Sequence, residues 1–290
     1  MYNIEKPDFH DQLIKELLYW IEVNLNDRLT MERASKKTGY SPWYLQRLFK
    51  SKTGYALGKY IRDRRLTMAA IALRLTNTPI LDISLYYSYD SQQTFTRSFK
   101  KNFAETPAVF RRNREWNMGG VTAPLLIDDF PAPTYQIVEL PDMEFIGQTL
   151  RHTYPIEALF NPKNHVHRDT LYSYLKDPSS LQSTVWGLSD CGPGEEQDSV
   201  MEMDMVYTVG RQKTADFGHN IEATLAIPAG RYLKIDYTHD ISRLNDYILY
   251  LYSVFFPTLN LQFRLGHDVE KYSQVATENG ITCEYYIPIA

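Results

Sequence analysis

In residues 1–116, apolar and polar positions repeat with the period of an α-helix. The clearest case is Ser91–Phe103, where Phe95, Phe99 and Phe103 recur every four residues. Residues with this spacing fall on one side of a helix. Ser91 stands at the N-cap position, where its hydroxyl can accept a hydrogen bond from a backbone N–H. The segment therefore predicts a capped helix with an aromatic face and a polar face.

The same pattern occurs fifty residues earlier. Ser41 matches Ser91, and Leu45–Lys50 matches Phe95–Lys100 at its apolar, Arg, Phe and Lys positions. Pro42 suits the first position of a helix, which supports Ser41 as the cap. An internal repeat indicates two copies of one structural unit. We therefore expect two helices that present the same kind of polar face.

Each of these helices follows a shorter predicted helix and a tight turn, which is the helix-turn-helix pattern. The recognition helices are predicted at 42–53 and 92–103, joined by the long helix Leu57–Leu75. A helix of that length spans roughly 28 Å, whereas successive major-groove sites on one face of DNA are ~34 Å apart. We therefore expect the DNA to bend, or one helix to seat incompletely. The remaining predicted helices cover 10–24, 30–37 (with Thr30 as the N-cap), 80–87 and about 107–114.

From about Trp116 the apolar positions alternate with the period of a β-strand. Two helices, Pro155–Lys176 and Ile241–Phe256, interrupt the strands. Pairs of strands that alternate with single long helices, twice over, predict an α+β domain with an internal pseudo-repeat. We place the domain boundary between residues 116 and 117. The predicted strands are 135–140, 144–150, 185–188, 203–209, 221–227, 230–237, 264–272 and 282–289, and the acidic segment Pro193–Ser199 is expected to be a loop.

The net charge of −4 conceals an opposition between the two parts of the chain. Residues 1–116 carry 20 Lys and Arg against 12 Asp and Glu, a net charge of +8. Residues 117–290 carry 11 against 23, a net charge of −12. This asymmetry indicates a basic nucleic-acid-binding module joined to an acidic one.

The polar face of 92–103 carries side chains that suit DNA, at Gln93, Thr96, Arg97 and Lys100. Gln can bind adenine through two hydrogen bonds, Arg can bind guanine in the same way, and Thr can contact the thymine methyl group. Lys can neutralise a backbone phosphate. On the first recognition helix, Lys50 is assigned the same phosphate role.

Cysteine usage and apolar runs exclude several classes of protein. Cys191 and Cys283 are too few for a disulfide framework or a zinc site, and we expect reduced thiols. The N-terminal segment lacks the apolar core of a signal peptide. The longest apolar run, Tyr247–Pro257, is too short to span a bilayer. These features predict a cytoplasmic protein.

Catalytic and metal-binding motifs are weak. Asn164, His165 and His167 could form half of a metal site, but no Cys or carboxylate cluster at ligand spacing completes it, so we expect helix surface there. The sequence has neither a nucleophile elbow nor a phosphate-binding loop. We expect no enzyme activity, no metal and no cofactor.

Five motifs stand out in the helical part of the chain: Gly39–Ser41, Trp43–Lys50, Tyr60–Arg62, Pro79–Ile83 and Asp90–Lys100. Through these motifs, residues 8–116 resemble the DNA-binding domain of the AraC/XylS family of transcription activators, in particular its MarA/SoxS/Rob-type members. One departure is Ser88, where many members have glycine in the second turn, so that turn is expected to be slightly reshaped.

The remainder of the chain has its own set of motifs: Glu139–Pro141, Gly147, Ile227–Tyr232, Asp268–Tyr272 and Ile287–Ile289. Through them it resembles the GyrI-like domain of multidrug-sensing regulators. In such sensors an acidic residue in an aromatic-lined cavity pairs with a cationic lipophilic ligand. The resemblance implies this role for Glu270, and we place Tyr272 and Trp186 in the same site. The open alternatives for Glu270 are that it lies on the solvent face, or that the helix at 155–176 or at 241–256 fills the cavity and leaves Glu270 bonded internally. A further alternative is that the domain is a hydrolase-like or protein-interaction module.

The family resemblance also implies an activity and its partners. It implies a regulator that binds an asymmetric promoter element in double-stranded DNA as a monomer, recruits RNA polymerase and activates genes for drug efflux and for oxidative or solvent stress. The base contacts that it implies fall on Trp43, Gln46, Arg47, Gln92, Gln93, Thr94, Thr96 and Arg97.

Overall fold

The structure, a computed structural model, describes residues 9–127, 130–160, 171, 184–194, 201–214, 224–237, 240–274 and 281–290. The chain forms two compact units. The N-terminal unit comprises Met1–Leu73, Thr78–Phe110 and Gly120–Asp128, and the C-terminal unit comprises the other residues. Because residues 111–128 are divided between the units, the boundary at 116 stays a prediction.

Seven α-helices form between residues 9 and 112, in agreement with the helical periodicity of the sequence. The predicted recognition helices and the long helix that joins them are confirmed at their predicted bounds, and the other helices differ by one or two residues at their ends, which is the usual uncertainty of a helix end. The helices are α1 (Phe9–Val23), α2 (Met31–Thr38), α3 (Pro42–Thr53), α4 (Leu57–Leu75), α5 (Ile80–Tyr86), α6 (Gln92–Phe103) and α7 (Pro107–Arg112).

Capping residues determine where α3 and α6 begin. The hydroxyl of Ser41 accepts from the backbone N–H of Tyr44, and the hydroxyl of Ser91 accepts from that of Thr94. Gly54 ends α3 with a φ of 79°, a left-handed conformation that glycine adopts without steric cost. These caps confirm the expectation from the sequence that both helices start at a serine.

The second turn contains Ser88 where the family pattern has glycine, and its backbone is left-handed with a φ of 59°. Such a conformation is costly for a residue with a Cβ. Its hydroxyl donates a 2.9 Å hydrogen bond to the carbonyl oxygen of Asn26, a residue of the loop after α1. The turn thus keeps the conformation that glycine would adopt, and the serine adds a contact to the first helix-turn-helix unit.

The C-terminal unit contains an antiparallel sheet of eight strands. A separate two-stranded sheet pairs β1 with β8. The strand bounds are β1 (Glu115–Trp116), β2 (Tyr135–Leu140), β3 (Met143–Pro155), β4 (Val185–Pro193), β5 (Glu202–Gln212), β6 (Leu225–Ile227), β7 (Gly230–Tyr237), β8 (Phe263–Arg264), β9 (Asp268–Gln274) and β10 (Ile281–Pro288).

The order of strands in the large sheet is β2-β7-β10-β9-β4-β5-β3-β6. Each half of the unit contributes three adjacent strands, β4, β5 and β3 from the first half and β9, β10 and β7 from the second. The first strand of each half, β2 or β6, pairs with the other half. The predicted pseudo-repeat is therefore confirmed, and β4 and β9 meet at its centre.

One helical segment, residues 241–258, lies between β7 and β8, where a single helix was predicted. It begins and ends with short 3₁₀ turns, at Ile241–Arg243 and Phe256–Thr258. Between them are α8 (Leu244–Tyr250) and a π turn, Leu251–Phe255. The prediction is confirmed in extent but not in regularity.

Other predictions differ from the structure or lie partly outside it. Of the strand predicted at 221–227, residues Leu225–Ile227 form β6 and residues 221–223 lie outside the described residues. The strand predicted at 264–272 is wrong in its middle, because the chain bends at Gly266, whose φ is 150°. Of the helix predicted at 155–176, residues Ile156–Phe160 form a 3₁₀ turn and Leu171 is helical and buried. Most of this segment, including Asn164, His165 and His167, lies outside the described residues, as do residues 195–199 of the predicted acidic loop.

Candidate DNA interface and small-molecule site

The outer faces of α3 and α6 carry all the side chains assigned to DNA. Leu45, Phe49, Phe95 and Phe99 are completely buried, so each helix is fixed by its apolar side. Thr96 is partly buried, and the others are exposed: Trp43, Gln46, Arg47, Lys50, Gln92, Gln93, Thr94, Arg97 and Lys100. The structure thus groups the assigned residues on two helix faces, and their contacts with DNA stay a prediction.

Trp43 is the most informative residue on the first face, because 65% of its surface is exposed although it is a large aromatic side chain. The guanidinium of Arg47 lies 4.7 Å from the centre of its ring. This cation–π contact restricts the Arg47 side chain without neutralising its charge. An aromatic ring and an oriented guanidinium side by side suit contact with bases.

Further basic residues near these helices were not assigned from the sequence. Lys36 and Lys37 in the last turn of α2, and Lys101 on α6, are exposed. In helix-turn-helix proteins the first helix of the motif crosses the DNA backbone. The sequence signal for these lysines was their position in the last turn of each helix. That signal is ambiguous, because a cation at this end also stabilises the helix itself.

The carboxylate of Glu270 is completely buried on β9, at the centre of the eight-stranded sheet. The hydroxyl of Tyr207 donates a 2.7 Å hydrogen bond to its Oε2, and the hydroxyl of Tyr272 donates one of 2.6 Å to the same atom. The alternative that Glu270 lies on the solvent face is therefore wrong. Glu270 and Tyr272 are brought together, as their spacing of two residues on a strand predicted.

Gly187 on β4 makes room for this cluster. It is the direct neighbour of Glu270 in the β4–β9 pairing. A Cβ at this position would lie 2.3 Å from the Tyr207 hydroxyl and 2.8 Å from Glu270 Oε2. Because Gly187 has no side chain, the Tyr207 hydroxyl from β5 and the Glu270 carboxylate from β9 can meet above the backbone of β4.

A second carboxylate, Asp268, stands two residues before Glu270 on the same strand. The hydroxyls of Tyr252 and Tyr285 each donate a 2.5 Å hydrogen bond to its Oδ2. Burial raises the pKa of Asp268 to about 7, and the negative charge of Glu270 adds to the rise, whereas the two tyrosine hydrogen bonds lower the pKa. Asp268 was not assigned from the sequence, although its alternation with Glu270 and Tyr272 was a signal for it.

Trp186 does not join this cluster. In the β4–β9 pairing Trp186 stands opposite Lys271, whereas Gly187 stands opposite Glu270. Since residues alternate between the faces of a sheet, Trp186 lies on the face opposite to Glu270. Its ring packs at 5.4 Å from that of Phe145 in an apolar cluster. The placement of Trp186 beside Glu270 and Tyr272 is therefore corrected.

The cluster combines two kinds of group that attract positive charge, a carboxylate and tyrosine rings. A buried carboxylate is costly unless a positive charge or hydrogen bonds compensate it. Here the hydrogen bonds come from tyrosine, whose ring also attracts cations through its π face.

The environment of Cys191 disfavours nucleophilic catalysis by its thiol. Burial raises the pKa of the Cys191 thiol to about 12, and the nearby charges of Asp268 and Asp190 add to the rise. The thiolate, which is the reactive form, is therefore scarce at neutral pH. Cys191 and Cys283 are both reduced.

Among the described residues, no group of His, Cys, Asp and Glu is arranged to hold a metal ion. In the same part of the chain, no helix combines the length and the apolar character of a membrane span.

Comparison with known proteins gives matches in both units. Residues 34–113 match a helix-turn-helix domain, and residues 133–290 match the GyrI-like small molecule binding domain. The chain is 37% identical over 284 residues to the transcriptional regulator Rob of Salmonella typhimurium, an alignment that covers 96% of this chain and 98% of that protein.

Two further relatives are similar to all or part of the chain. The right origin-binding protein of Escherichia coli K12 is 36% identical over 284 residues, with 96% of this chain and 98% of that protein covered. The regulatory protein SoxS of Salmonella typhimurium is 47% identical over 102 residues, which represent 35% of this chain and 95% of SoxS. The chain therefore belongs to the family of transcriptional regulators in which an AraC-type helix-turn-helix domain is followed by a GyrI-like small molecule binding domain.

Proposed function

We propose that the protein binds a promoter element as a monomer through α3 and α6, and that a lipophilic cation bound at Glu270 modulates its activity. On DNA it recruits RNA polymerase and activates genes of drug, oxidative and solvent stress. It acts in the cytoplasm and catalyses no reaction. The reactive form of Cys191 is suppressed by burial, which supports the absence of thiol catalysis.

The observation that carries the DNA part is the pair of capped helices with matched outer faces. Arg47 and Arg97 occupy equivalent positions of the repeat and are both exposed. Each guanidinium can bind a guanine edge, whereas Lys50 and Lys100 at the next turn can bind phosphate. One chain thus carries both recognition elements, which supports binding as a monomer to an asymmetric site.

Gel-shift titration with wild type, Arg97→Ala and Lys50→Ala tests this assignment. The duplexes are one that wild type selects from a random pool and a scrambled version of it. Loss of a bidentate base contact should cost ~1–3 kcal/mol of discrimination, so Arg97→Ala should lower affinity for the selected duplex alone. Lys50→Ala should weaken binding to both duplexes and flatten the salt dependence. An equal loss on both duplexes for Arg97→Ala would make Arg97 a phosphate contact.

The observation that carries the ligand part is the buried Glu270 carboxylate with tyrosine hydroxyls on its Oε2 atom. Calorimetry with a quaternary phosphonium cation and a bile-salt anion, on wild type and Glu270→Gln, tests it. We expect the cation to bind wild type and not the variant, with the anion response unchanged. Equal binding by both proteins would mean that Glu270 only stabilises the sheet.

A further inference from the structure

Residues 120–127, here called the strap, follow the last helix of the DNA-binding region but belong to the N-terminal unit. The strap has no regular secondary structure. Its backbone is nevertheless held by side chains from two helices of this unit, at Gly120, Thr122 and Leu125. Such bonds to the backbone of a segment outside the helices fix its course across the unit.

The first end of the strap is fixed to α6. The amide of Asn102 donates a 2.7 Å hydrogen bond to the carbonyl oxygen of Gly120. A Cβ on Gly120 would lie 2.4 Å from the ring of Phe103 and 2.8 Å from the carbonyl oxygen of Asn102. Only glycine therefore allows the strap to pass this closely over the end of the second recognition helix.

The middle of the strap is fixed to α4. The backbone N–H of Thr122 donates a 2.9 Å hydrogen bond to the hydroxyl of Thr67, which is completely buried. The carbonyl oxygen of Thr122 accepts a 2.6 Å hydrogen bond from Arg64. Further along, the backbone N–H of Leu125 donates to the hydroxyl of Tyr60.

The same α4 side chains extend the connection to α1. Arg64 is completely buried, and its guanidinium donates to both carboxylate oxygens of Glu22 at 2.9–3.1 Å. The Tyr60 hydroxyl donates a 2.6 Å hydrogen bond to the same carboxylate. A single network thus runs from the strap through α4 to α1.

Helix α1 is in turn connected to the first recognition helix. Lys52 on α3 forms a 2.6 Å ion pair with Asp11 on α1, and the Tyr44 hydroxyl lies 3.3 Å from the His10 ring nitrogen Nε2. The strap therefore joins α6 to the group of helices that carries α3. The other connections between the two helix-turn-helix units include α4 itself and the hydrogen bond of Ser88.

We propose that the strap sets the distance and angle between α3 and α6, and that Thr67, Asn102 and Gly120 are positioning residues for DNA recognition. The inference rests on the proposed function, since it requires that both helices contact DNA. One inserted base pair moves the second site by ~3.4 Å along the duplex and rotates it about the axis. A fixed distance between the helices therefore makes affinity depend on the spacing between the two half-sites.

The first experiment measures this spacing dependence with full-length protein. The duplex selected from a random pool is compared with versions that carry one added or one deleted central base pair. We expect wild type to lose at least tenfold in affinity, and Thr67→Val and Gly120→Ala to lose less than threefold. Thr67→Ser keeps the acceptor and should behave as wild type. Ser84→Ala is the control, because the Ser84 hydroxyl is also completely buried but donates to a carbonyl within its own helix, α5.

The second experiment measures the distance between the helices without DNA. Spin labels are placed on α3 and α6 by Ser51→Cys and Lys101→Cys, in a protein whose native cysteines are replaced by serine. Double electron–electron resonance should give a narrow distribution of distances between the two labels in the otherwise unchanged protein. Thr67→Val or Gly120→Ala should at least double the width of that distribution. This result separates the strap from the DNA contacts, because it needs no DNA.

The outcomes are distinguishable. An unchanged distance distribution together with wild-type spacing dependence in both variants would overturn the role of the strap and leave the DNA assignment intact. If the affinity of wild type did not depend on the spacing, both the role of the strap and the contact of the two helices with DNA would be overturned. A uniform loss of affinity at all spacings, with an unchanged distance distribution, would also overturn the role of the strap, because the variants would then only weaken the fold.

Discussion

The hydroxyl of Tyr207 on β5 reaches across β4 to the carboxylate of Glu270 on β9, with a hydrogen bond of 2.7 Å. The two residues are 63 positions apart in the chain. The strand between them carries Gly187 at the crossing point, where a Cβ would overlap with both groups. The geometry of the candidate ligand site therefore depends on a residue that contributes no side chain.

Gly187→Ala should disrupt this site. The added methyl group must displace Tyr207 or Glu270, so we expect cation affinity to fall at least tenfold, which corresponds to ~1.4 kcal/mol. Calorimetry with the phosphonium cation measures the loss. Gly192→Ala is the matched control on the same strand, since a Cβ there meets no atom within 4 Å. Equal affinity of the two variants would contradict the role of Gly187.

Removal of the Tyr207 hydroxyl should destabilise the C-terminal unit. Tyr207→Phe leaves the Glu270 carboxylate without one of its hydrogen bonds, and a hydrogen bond to a charged group contributes ~1.5–3 kcal/mol. The free energy of unfolding in urea should fall by about that amount. Tyr135→Phe is the control, because Tyr135 is exposed on an edge strand and should stay within about 0.5 kcal/mol of wild type.

Asp268 should make stability depend on pH. Its pKa is about 7 in the folded protein, against 3.8 for the ordinary group, so the folded state binds the proton more tightly. Its contribution to stability is therefore full below pH 3.8 and is lost as the pH rises through 7. Asp268→Asn should remove this decline between pH 4 and 7 in urea titrations at a series of pH values. If the free energy of unfolding of Asp268→Asn fell with pH as steeply as that of wild type, the decline would be assigned to other groups.

The strained Ser88 allows a comparison of backbone strain with a hydrogen bond. Ser88→Ala loses the bond to Asn26 and keeps the left-handed φ, whereas Ser88→Gly loses the bond and relieves a strain of ~1–2 kcal/mol. We expect the glycine variant to be more stable than the alanine variant by ~1 kcal/mol in thermal unfolding. Ala104→Gly is the control for the relief of backbone strain alone, because Ala104 also has a positive φ, at the C-cap of α6, and its side chain makes no hydrogen bond.

The helical unit could be predicted closely because its signals are local. The caps at Ser41 and Ser91, and apolar residues every three or four positions, depend on neighbours within one turn. The outward faces of α3 and α6 follow from the same periodicity. The left-handed φ of Ser88 does not follow from this periodicity, because its strain is compensated by a hydrogen bond to a residue distant in sequence.

The ligand site was predicted only in part, because its contacts cross the sheet. The alternation of Glu270 and Tyr272 gave the first pair, as both lie on one strand. Tyr207 and Gly187 required the order and register of β4, β5 and β9, which alternation does not supply. Trp186 was misplaced for the same reason, since the register decides which face a residue occupies.

The π turn at Leu251–Phe255 restricts how the chain length of this region can change. Such a turn places one additional residue between hydrogen-bonded groups of the helix. A deletion that restored an α-helix would rotate every later side chain by about 100°. Tyr252 would then lose Asp268, or Phe256 would lose its contact with Phe263. We therefore expect the protein to tolerate insertions and deletions in the connections on either side better than in this segment.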